Sequence, residues 1–132
     1  MKLAAPVTAG NRRDAMRKRQ RDRRIATPAI RVRYPQLASM QVNFDFSDRG
    51  DFIPSPQVTV FHPPAPAYFC FACPYSDCDG EFDLTAQIDI AVSSGEAQTS
   101  GQARCTGTRH GGACTLCLDF SIAPHHRQKT KG

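Results

Sequence analysis

The segment that carries most of the structural information lies at residues 70–82. It reads Cys70-Phe71-Ala72-Cys73-Pro74-Tyr75-Ser76-Asp77-Cys78-Asp79-Gly80-Glu81-Phe82. A second group follows at Cys105, Cys114 and Cys117, so the six cysteines form a Cys-x2-Cys-x4-Cys group and a Cys-x8-Cys-x2-Cys group. Two cysteine-bearing turns separated by a hairpin with a long loop are typical of chains that converge on one tetrahedral metal ion.

Six thiols exceed the four ligands that tetrahedral zinc takes, so two cysteines are left over. Alternation helps to separate them, because strand residues two apart share a face. Cys73 has the parity of the phenylalanines at positions 69 and 71, and Cys114 has that of the apolar residues that follow it. Cys70 and Cys117 have the opposite parity. The predicted zinc ligands are Cys73, Cys78, Cys105 and Cys114. Rival sets bring in Cys70, Cys117 or His110.

The turn at residues 73–82 resembles those of zinc ribbons, in which Cys-Pro-x-x-Cys-Gly precedes an aromatic strand. The likeness covers roughly residues 69–122 and implies a small antiparallel sheet with a structural zinc ion. This chain departs from the pattern, since four and eight residues separate its paired cysteines. The segment is also similar to a family of small uncharacterised bacterial proteins with the run Cys-Pro-Tyr-x-Asp-Cys-x-Gly-x-Phe-Asp-Leu. That likeness implies a similar fold and no particular activity.

Other uses of the cysteines stay open at this point. Six buried thiols would be small hydrophobic residues, and each Cys-x2-Cys would suit a redox pair if a βαβ unit surrounded it. An iron–sulfur site is a further alternative. A catalytic zinc ion needs an open position and a general base, for which only Glu81 and Asp83 are close in sequence. No HExxH or phosphate-binding glycine motif is present, so we expect no enzyme.

Alternating apolar residues predict a mainly β fold, a small antiparallel zinc-ribbon-like sheet domain. The clearest strand alternates from Leu116 to Ile122 and is expected to stop at Pro124. Further alternation is found at positions 30–34, 42–46 and 58–60. The apolar positions 88, 90 and 92 fit either a strand or one helical turn, and residues 93–101 are expected to form a polar loop. A strand is expected to begin at Gln102 and to lead to Cys105.

Charge divides the chain. Residues 1–33 contain eleven Lys or Arg and two Asp, a net charge of +9, whereas residues 34–132 contain six basic and ten acidic side chains, a net charge of −4. We therefore divide it into a basic N-terminal arm (1–33), a zinc-stapled β domain (34–124) and a polar C-terminal tail (125–132). The arm is expected to be partly helical over 12–25 or disordered, because it has no apolar stripe.

An arginine-rich arm favours phosphate groups, so RNA or DNA is the first expected partner. The candidate residues are Arg12, Arg13, Arg17, Lys18, Arg19, Arg21, Arg23 and Arg24. A solvated tail, or an arm incidental to a protein-interaction module, is the alternative. We expect no membrane span and a cytoplasmic protein, where reduced thiols favour metal over disulfides.

Overall fold

The computed structural model describes residues 9–49 and 56–127. Its helices are α1 (Ala9–Ala26), α2 (Ile30–Arg33) and α3 (Thr85–Ser94). Its strands are β1 (Leu37–Ser47), β2 (Gln57–Phe61), β3 (Cys70–Ala72), β4 (Glu81–Asp83), β5 (Thr99–Arg104), β6 (Thr108–Arg109), β7 (Gly112–Ala113) and β8 (Cys117–His126). The predicted mainly β, antiparallel class is confirmed, as is a helix within the basic arm.

The main sheet has the antiparallel order β2-β1-β8-β5. Its two central strands are the ones with the clearest alternation, and their apolar residues meet across the ladder, Val42 opposite Ile122 and Phe44 opposite Phe120. The intervening residues form a polar outer face, on which the Asn43 side-chain amide donates a hydrogen bond of 3.0 Å to the Ser121 hydroxyl. One face of this sheet is therefore core and the other is polar.

The expected end of the last strand at Pro124 is wrong. β8 continues to His126, and Pro124 lies opposite Met40 of β1. Proline is tolerated here because β5 extends only as far as Ile122, which leaves one side of β8 without a neighbouring strand beyond that residue.

Three other segments differ from the alternation. Residues 30–33 form the single helical turn α2, and Tyr34 follows it. Ile30 and Tyr34 are four residues apart and both are buried, whereas Val32 is 67% exposed. Part of the expected polar loop is the edge strand β5, where the Phe120 ring lies over Gly101. The ambiguous run 88–92 belongs to α3.

A second layer covers the core face of the sheet. The short pair β3–β4 is tied to it by aromatic contacts, with the Phe44 and Phe71 ring centroids 4.9 Å apart and those of Phe46 and Phe82 5.7 Å apart. Helix α3 lies beside it and contacts β8. The buried cysteines belong to the same continuous core.

Helix α1 packs on the body, which the lack of an apolar stripe did not indicate. It begins at Ala9, three residues before the expected start, and it buries Met16 completely and Gln20 to 2% exposure. The Gln20 amide donates a hydrogen bond of 2.8 Å to the Glu81 carboxylate in β4. The contact is thus mostly polar, so the hydrophobic periodicity of the sequence does not predict it.

Candidate metal centre

Four cysteines come together at one end of the core. The sulfur atoms of Cys73, Cys78, Cys105 and Cys114 all lie within 4.8 Å of one another, and all four residues are buried. The Sγ atoms of Cys78 and Cys105 are 3.5 Å apart, too far for a disulfide bond. Four thiolates around one zinc ion at about 2.3 Å would be about 3.8 Å apart, so the cluster has the size of a tetrahedral thiolate site.

The first knuckle, residues 73–80, supplies two of these sulfurs between β3 and β4. Its chain turns back on itself, since the Cys73 amide donates a hydrogen bond of 3.0 Å to the Gly80 carbonyl. The Gly80 amide donates in turn to the Cys78 sulfur at 3.3 Å. An amide directed at sulfur stabilises the thiolate form, which is the form that binds metal.

The second knuckle, residues 105–114, repeats this arrangement with the opposite chain order. The Gly107 amide donates to the Cys105 sulfur at 3.4 Å, and the Cys114 amide donates to the Gly107 carbonyl at 2.9 Å. Within its loop, β6 and β7 form a two-residue hairpin in which His110 and Gly111 both have positive φ, 51° and 77°. Each knuckle thus has a Cys-x-Gly turn and one further cysteine.

The two glycines lie back to back at the centre of the cluster. A Cβ atom added to Gly80 would lie 2.2 Å from the Cys105 sulfur, and one added to Gly107 would lie 2.3 Å from the Gly80 nitrogen. No side chain fits in either place, so glycine is required at both positions for the knuckles to approach each other.

The environment favours the protonated thiol at three of these cysteines, Cys78, Cys105 and Cys114, as long as no cation compensates a thiolate. Burial raises the pKa of Cys78 to about 12 and also raises the pKa of Cys114. The pKa of Cys105 is raised further, first by a hydrogen bond with Cys73 and then by burial. Thiolates in this place therefore require a bound cation.

The donor set fits a soft, tetrahedral ion. Four thiolates select Zn²⁺ or iron over hard cations such as Mg²⁺ or Ca²⁺, and four protein ligands leave no open position for a substrate or a catalytic water. When bound, such an ion crosslinks the two knuckles.

The rival ligands lie outside the cluster. The Cys70 thiol donates a hydrogen bond of 3.0 Å to Glu81, and Cys117 lies on β8 with its sulfur 3.8 Å from the Thr115 carbonyl. The His110 side chain is 73% exposed, and its Nε2 atom lies 3.3 Å from Asp77. The cysteines that parity selected are the ones that the fold brings together.

The two carboxylates considered as general bases have structural contacts. Glu81 accepts hydrogen bonds from Gln20 and Cys70. Asp83 accepts bonds of 3.0 Å from the amide and 2.6 Å from the hydroxyl of Thr85, at the start of α3. Both carboxylates therefore help to position neighbouring helices.

Arg13 anchors the basic helix to the first knuckle. Its Nη1 atom donates to the carbonyls of Cys73 at 2.8 Å, Tyr75 at 2.8 Å and Cys78 at 3.0 Å. The neighbouring Arg12 forms an ion pair of 3.3 Å with Asp79. Arg13 was predicted as a nucleic-acid contact, and the structure places it in a positioning role.

The remaining predicted basic residues divide between two sides of α1. Arg17 and Arg24 line a groove between α1 and the sheet. The other side chains are exposed; they are Lys18, Arg19, Arg21 and Arg23.

Sequence reasoning missed the polar contacts that join the two knuckles. The Arg109 guanidinium lies 3.7 Å above the Tyr75 ring, and its Nε atom bonds Asp77 at 2.7 Å. Asp48 accepts hydrogen bonds from the Tyr75 and Thr115 hydroxyls at 2.8 and 2.6 Å. No spacing rule connects residues so distant in sequence, so no sequence signal would have found these pairs.

Within the described residues, none of the helices has both the length and the apolarity needed to cross a membrane. Neither family models, nor curated proteins, nor solved structures match this chain. The zinc-ribbon resemblance therefore stays a hypothesis carried by the cysteine turns.

Proposed function

We propose that the chain is a non-enzymatic, cytoplasmic adaptor in which one structural Zn²⁺ ion on four cysteines holds a basic helix that binds RNA or DNA. The proposal rests on the three hydrogen bonds from Arg13 to the first knuckle. They attach α1 to the backbone that positions Cys73 and Cys78. The metal centre and the basic surface are thereby parts of one unit.

Electrostatics supports a link between the metal and the helix. Four thiolates and one Zn²⁺ ion carry a formal charge of about −2, and the Arg13 guanidinium bonds the carbonyls of two ligand residues. The Gly80 and Gly107 amides donate hydrogen bonds to sulfur and so also compensate part of this negative charge. The metal-bound knuckle is thus a better acceptor for the helix than the empty one.

The nucleic-acid role is supported by the exposed basic side chains of α1. Arginine binds phosphate through paired N–H groups, and its charge releases counterions from the polymer. The rest of the chain, residues 34–132, carries a net −4 and would repel a polyanion. Binding is therefore expected on the α1 surface and to weaken steeply with salt.

Native mass spectrometry of the reduced chain tests the metal. We expect one zinc ion per chain, lost together with cooperative unfolding after treatment with a chelator, because thiolate sites couple metal binding to folding. Metal-free protein that unfolds cooperatively and is unaffected by chelator would refute the site. Bound iron in place of zinc would support the four-cysteine site but would change the identity of its metal.

Neutralising substitutions test the nucleic-acid role better than deletion, since deletion would also remove Met16 and Arg13 from the body. Replacing four of the exposed basic residues of α1 by Gln (Lys18, Arg19, Arg21 and Arg23) should weaken binding of a labelled oligonucleotide in fluorescence anisotropy. If all four contact phosphates, the slope of log K against log salt should fall by about 3 for a single strand.

The matched control removes the same four charges elsewhere, at the exposed residues Arg31, Arg49, Arg104 and Arg127. This variant should bind almost as well as the parent chain. Equal losses in both variants would show a net-charge effect, and no binding by the parent at low salt would exclude the nucleic-acid role.

A protein-interaction module is the second candidate function, and one observation favours it. β2 is an edge strand, and Val58 and Val60 are 61% and 47% exposed on its outer side. Edge strands pair readily with an extended segment of another chain. A partner that stays bound after nuclease treatment, and is lost in Val58→Lys/Val60→Lys, would favour this function.

A further inference from the structure

A groove separates α1 from the edge of the main sheet. Its volume is about 460 Å³, and it is open to solvent along the helix. The helix supplies one wall, β2 supplies the opposite wall, and aromatic residues of β1 and β3 form the floor. The two walls differ in charge, because the α1 wall carries arginines and the β2 wall carries uncharged side chains.

The helical wall is cationic along its length. Arg13, Arg17, Gln20 and Arg24 line it, and their spacing of three or four residues places them on one face of α1. From Arg13 to Arg24 this stripe extends for about 16 Å, given a rise of 1.5 Å per residue. That length suits several linked phosphates better than a single anion.

Two of these arginines keep most of their donors for a ligand. Arg17 donates one long hydrogen bond of 3.3 Å to Gln20, and Arg24 lies 5.7 Å above the Tyr68 ring. Within residues 9–49 and 56–127, neither side chain forms an ion pair with a carboxylate. Glu81, which reaches this wall, is bonded to Gln20 and Cys70.

The floor and the second wall offer apolar and neutral polar surface. Phe71 is partly exposed on the floor, in contact with the buried Phe44. Opposite the arginines, Thr59 and Gln57 are exposed on the groove side of β2. A cationic stripe facing a ring and uncharged hydrogen-bonding groups is the combination that binds a phosphate chain together with its unstacked bases.

We propose that this groove binds single-stranded nucleic acid, with backbone phosphates on Arg17 and Arg24 and an unpaired base against Phe71. The proposal rests on the nucleic-acid function above and names its site and its ligand class. A duplex keeps its bases stacked and turned away from such a floor. An acidic peptide satisfies the arginines but has no flat base for Phe71.

Anisotropy with a labelled oligothymidine of twelve nucleotides, compared with a hairpin duplex of equal charge, tests the ligand class. We expect at least tenfold tighter binding of the single strand by the full-length, zinc-loaded chain. Equal affinity for the duplex would overturn the groove while leaving nucleic-acid binding in place. No affinity for either would remove the proposed function itself. Displacement by oligoglutamate at equal charge concentration would assign the groove to an acidic protein segment instead.

Two matched pairs of variants test the location. Thr59→Glu puts a carboxylate into the groove, whereas Val58→Glu puts the same charge on the opposite side of the same strand. Arg17→Gln/Arg24→Gln removes two charges from the groove, and Arg104→Gln/Arg127→Gln removes two exposed charges from outside α1. The affinity for the single strand should fall at least tenfold in each groove variant and less than threefold in each control. Equal losses within each pair would overturn the proposal.

Loss of Phe71 supplies a further test. Phe71→Leu keeps an apolar side chain but removes the ring. Its affinity for the single strand should fall about tenfold, because stacking of a base on an aromatic ring contributes about 1–3 kcal/mol. Zinc content and circular dichroism show whether the variant is folded. A folded Phe71→Leu protein with unchanged affinity would exclude stacking on this ring.

Discussion

The two knuckles share one local design and differ in what surrounds them. Cys78-Asp79-Gly80 and Cys105-Thr106-Gly107 form the same turn, with the same amide-to-sulfur bond. Around the first knuckle, α1 covers the backbone through Arg13. The second knuckle carries a hairpin whose tip, at His110 and Gly111, is exposed. The four-cysteine cluster is therefore symmetric at its centre and asymmetric at its rim.

This difference separates two kinds of contribution. Residues at the shared centre should affect both knuckles equally, because neither turn can keep its geometry without the other. Residues at the rim should affect one knuckle more than the other. The expected effects of substitution therefore decrease from the centre outward.

Loss of a ligand should have the largest effect. Cys105→Ser removes one of four thiolates from a site that contributes on the order of 10 kcal/mol in zinc peptides, comparable to the whole stability of a small domain. We expect this variant to retain no zinc at stoichiometric concentration and to show no cooperative thermal transition.

The matched control is Cys117→Ser, because Cys117 belongs to the same sequence group of three cysteines but lies outside the cluster. It should keep one zinc ion and a Tm within about 3 °C of the parent chain. A loss of zinc in Cys117→Ser equal to that in Cys105→Ser would exclude the assigned ligand set.

The central glycines give the next largest effect. Gly80→Ala and Gly107→Ala each introduce a Cβ atom within 2.3 Å of the facing knuckle. Each should lower the free energy of unfolding by about 3 kcal/mol, measured by urea denaturation with zinc present. Gly112→Ala is the control, since a Cβ atom there has nothing within 4 Å. A large loss in only one of the central variants would contradict the symmetric centre.

How far the sequence leads differs between the centre and the rim. Period-two alternation predicts β1 and β8, and the same rule prefers Cys73 to Cys70 and Cys114 to Cys117, because these features depend on which side of a strand is buried. The repeated Cys-x-Gly turn was present at Gly80 and Gly107, but three residues are too few to be recognised as an internal repeat.

The rim was not predictable for a physical reason. α1 packs through Arg13 and Gln20, and polar contacts leave no hydrophobic period. Alternation also fails where it coincides with another period, as in α2, where Ile30 and Tyr34 fit both a strand and a helix. β5 was predicted only from Gln102 onward, because its first residues, up to Gly101, are polar and lack the composition of a strand.

At the rim, the contact of Arg13 should matter most. Arg13→Gln leaves three knuckle carbonyls without their charged donor, for which we expect a loss of about 2 kcal/mol and faster amide exchange along α1. Arg19→Gln, on the exposed side of the same helix, should change stability by less than about 0.5 kcal/mol. Unchanged exchange of α1 in Arg13→Gln would show that the helix is held by other contacts.

The corresponding contact of the second knuckle should be weaker. Arg109→Lys removes a planar guanidinium that stacks on Tyr75 and bonds Asp77, both on the first knuckle. Because Asp77 is 39% exposed, this pair is screened by solvent, and we expect a loss of about 1 kcal/mol. A loss larger than that of Arg13→Gln would reverse the inferred asymmetry of the rim.

Asp48 joins the first knuckle to Thr115, the residue that follows the second knuckle, and its removal should have the smallest effect. Hydrogen bonds, first from Thr115 and then from Tyr75, lower the pKa of this carboxyl below its ordinary value. Its folded pKa is thus below its unfolded pKa, so its contribution to stability is present above pH 4 and is lost only in stronger acid. Asp48→Asn should lower the free energy of unfolding by less than about 1 kcal/mol, because the group lies near the surface.

In excess zinc, the difference in free energy of unfolding between the parent chain and Asp48→Asn should be the same at pH 7 and pH 5, since Asp48 is ionised at both. A difference that grows at pH 5 would mean that the pKa of the folded carboxyl is raised above its unfolded value, and that its hydrogen bonds from Thr115 and Tyr75 are not maintained in solution.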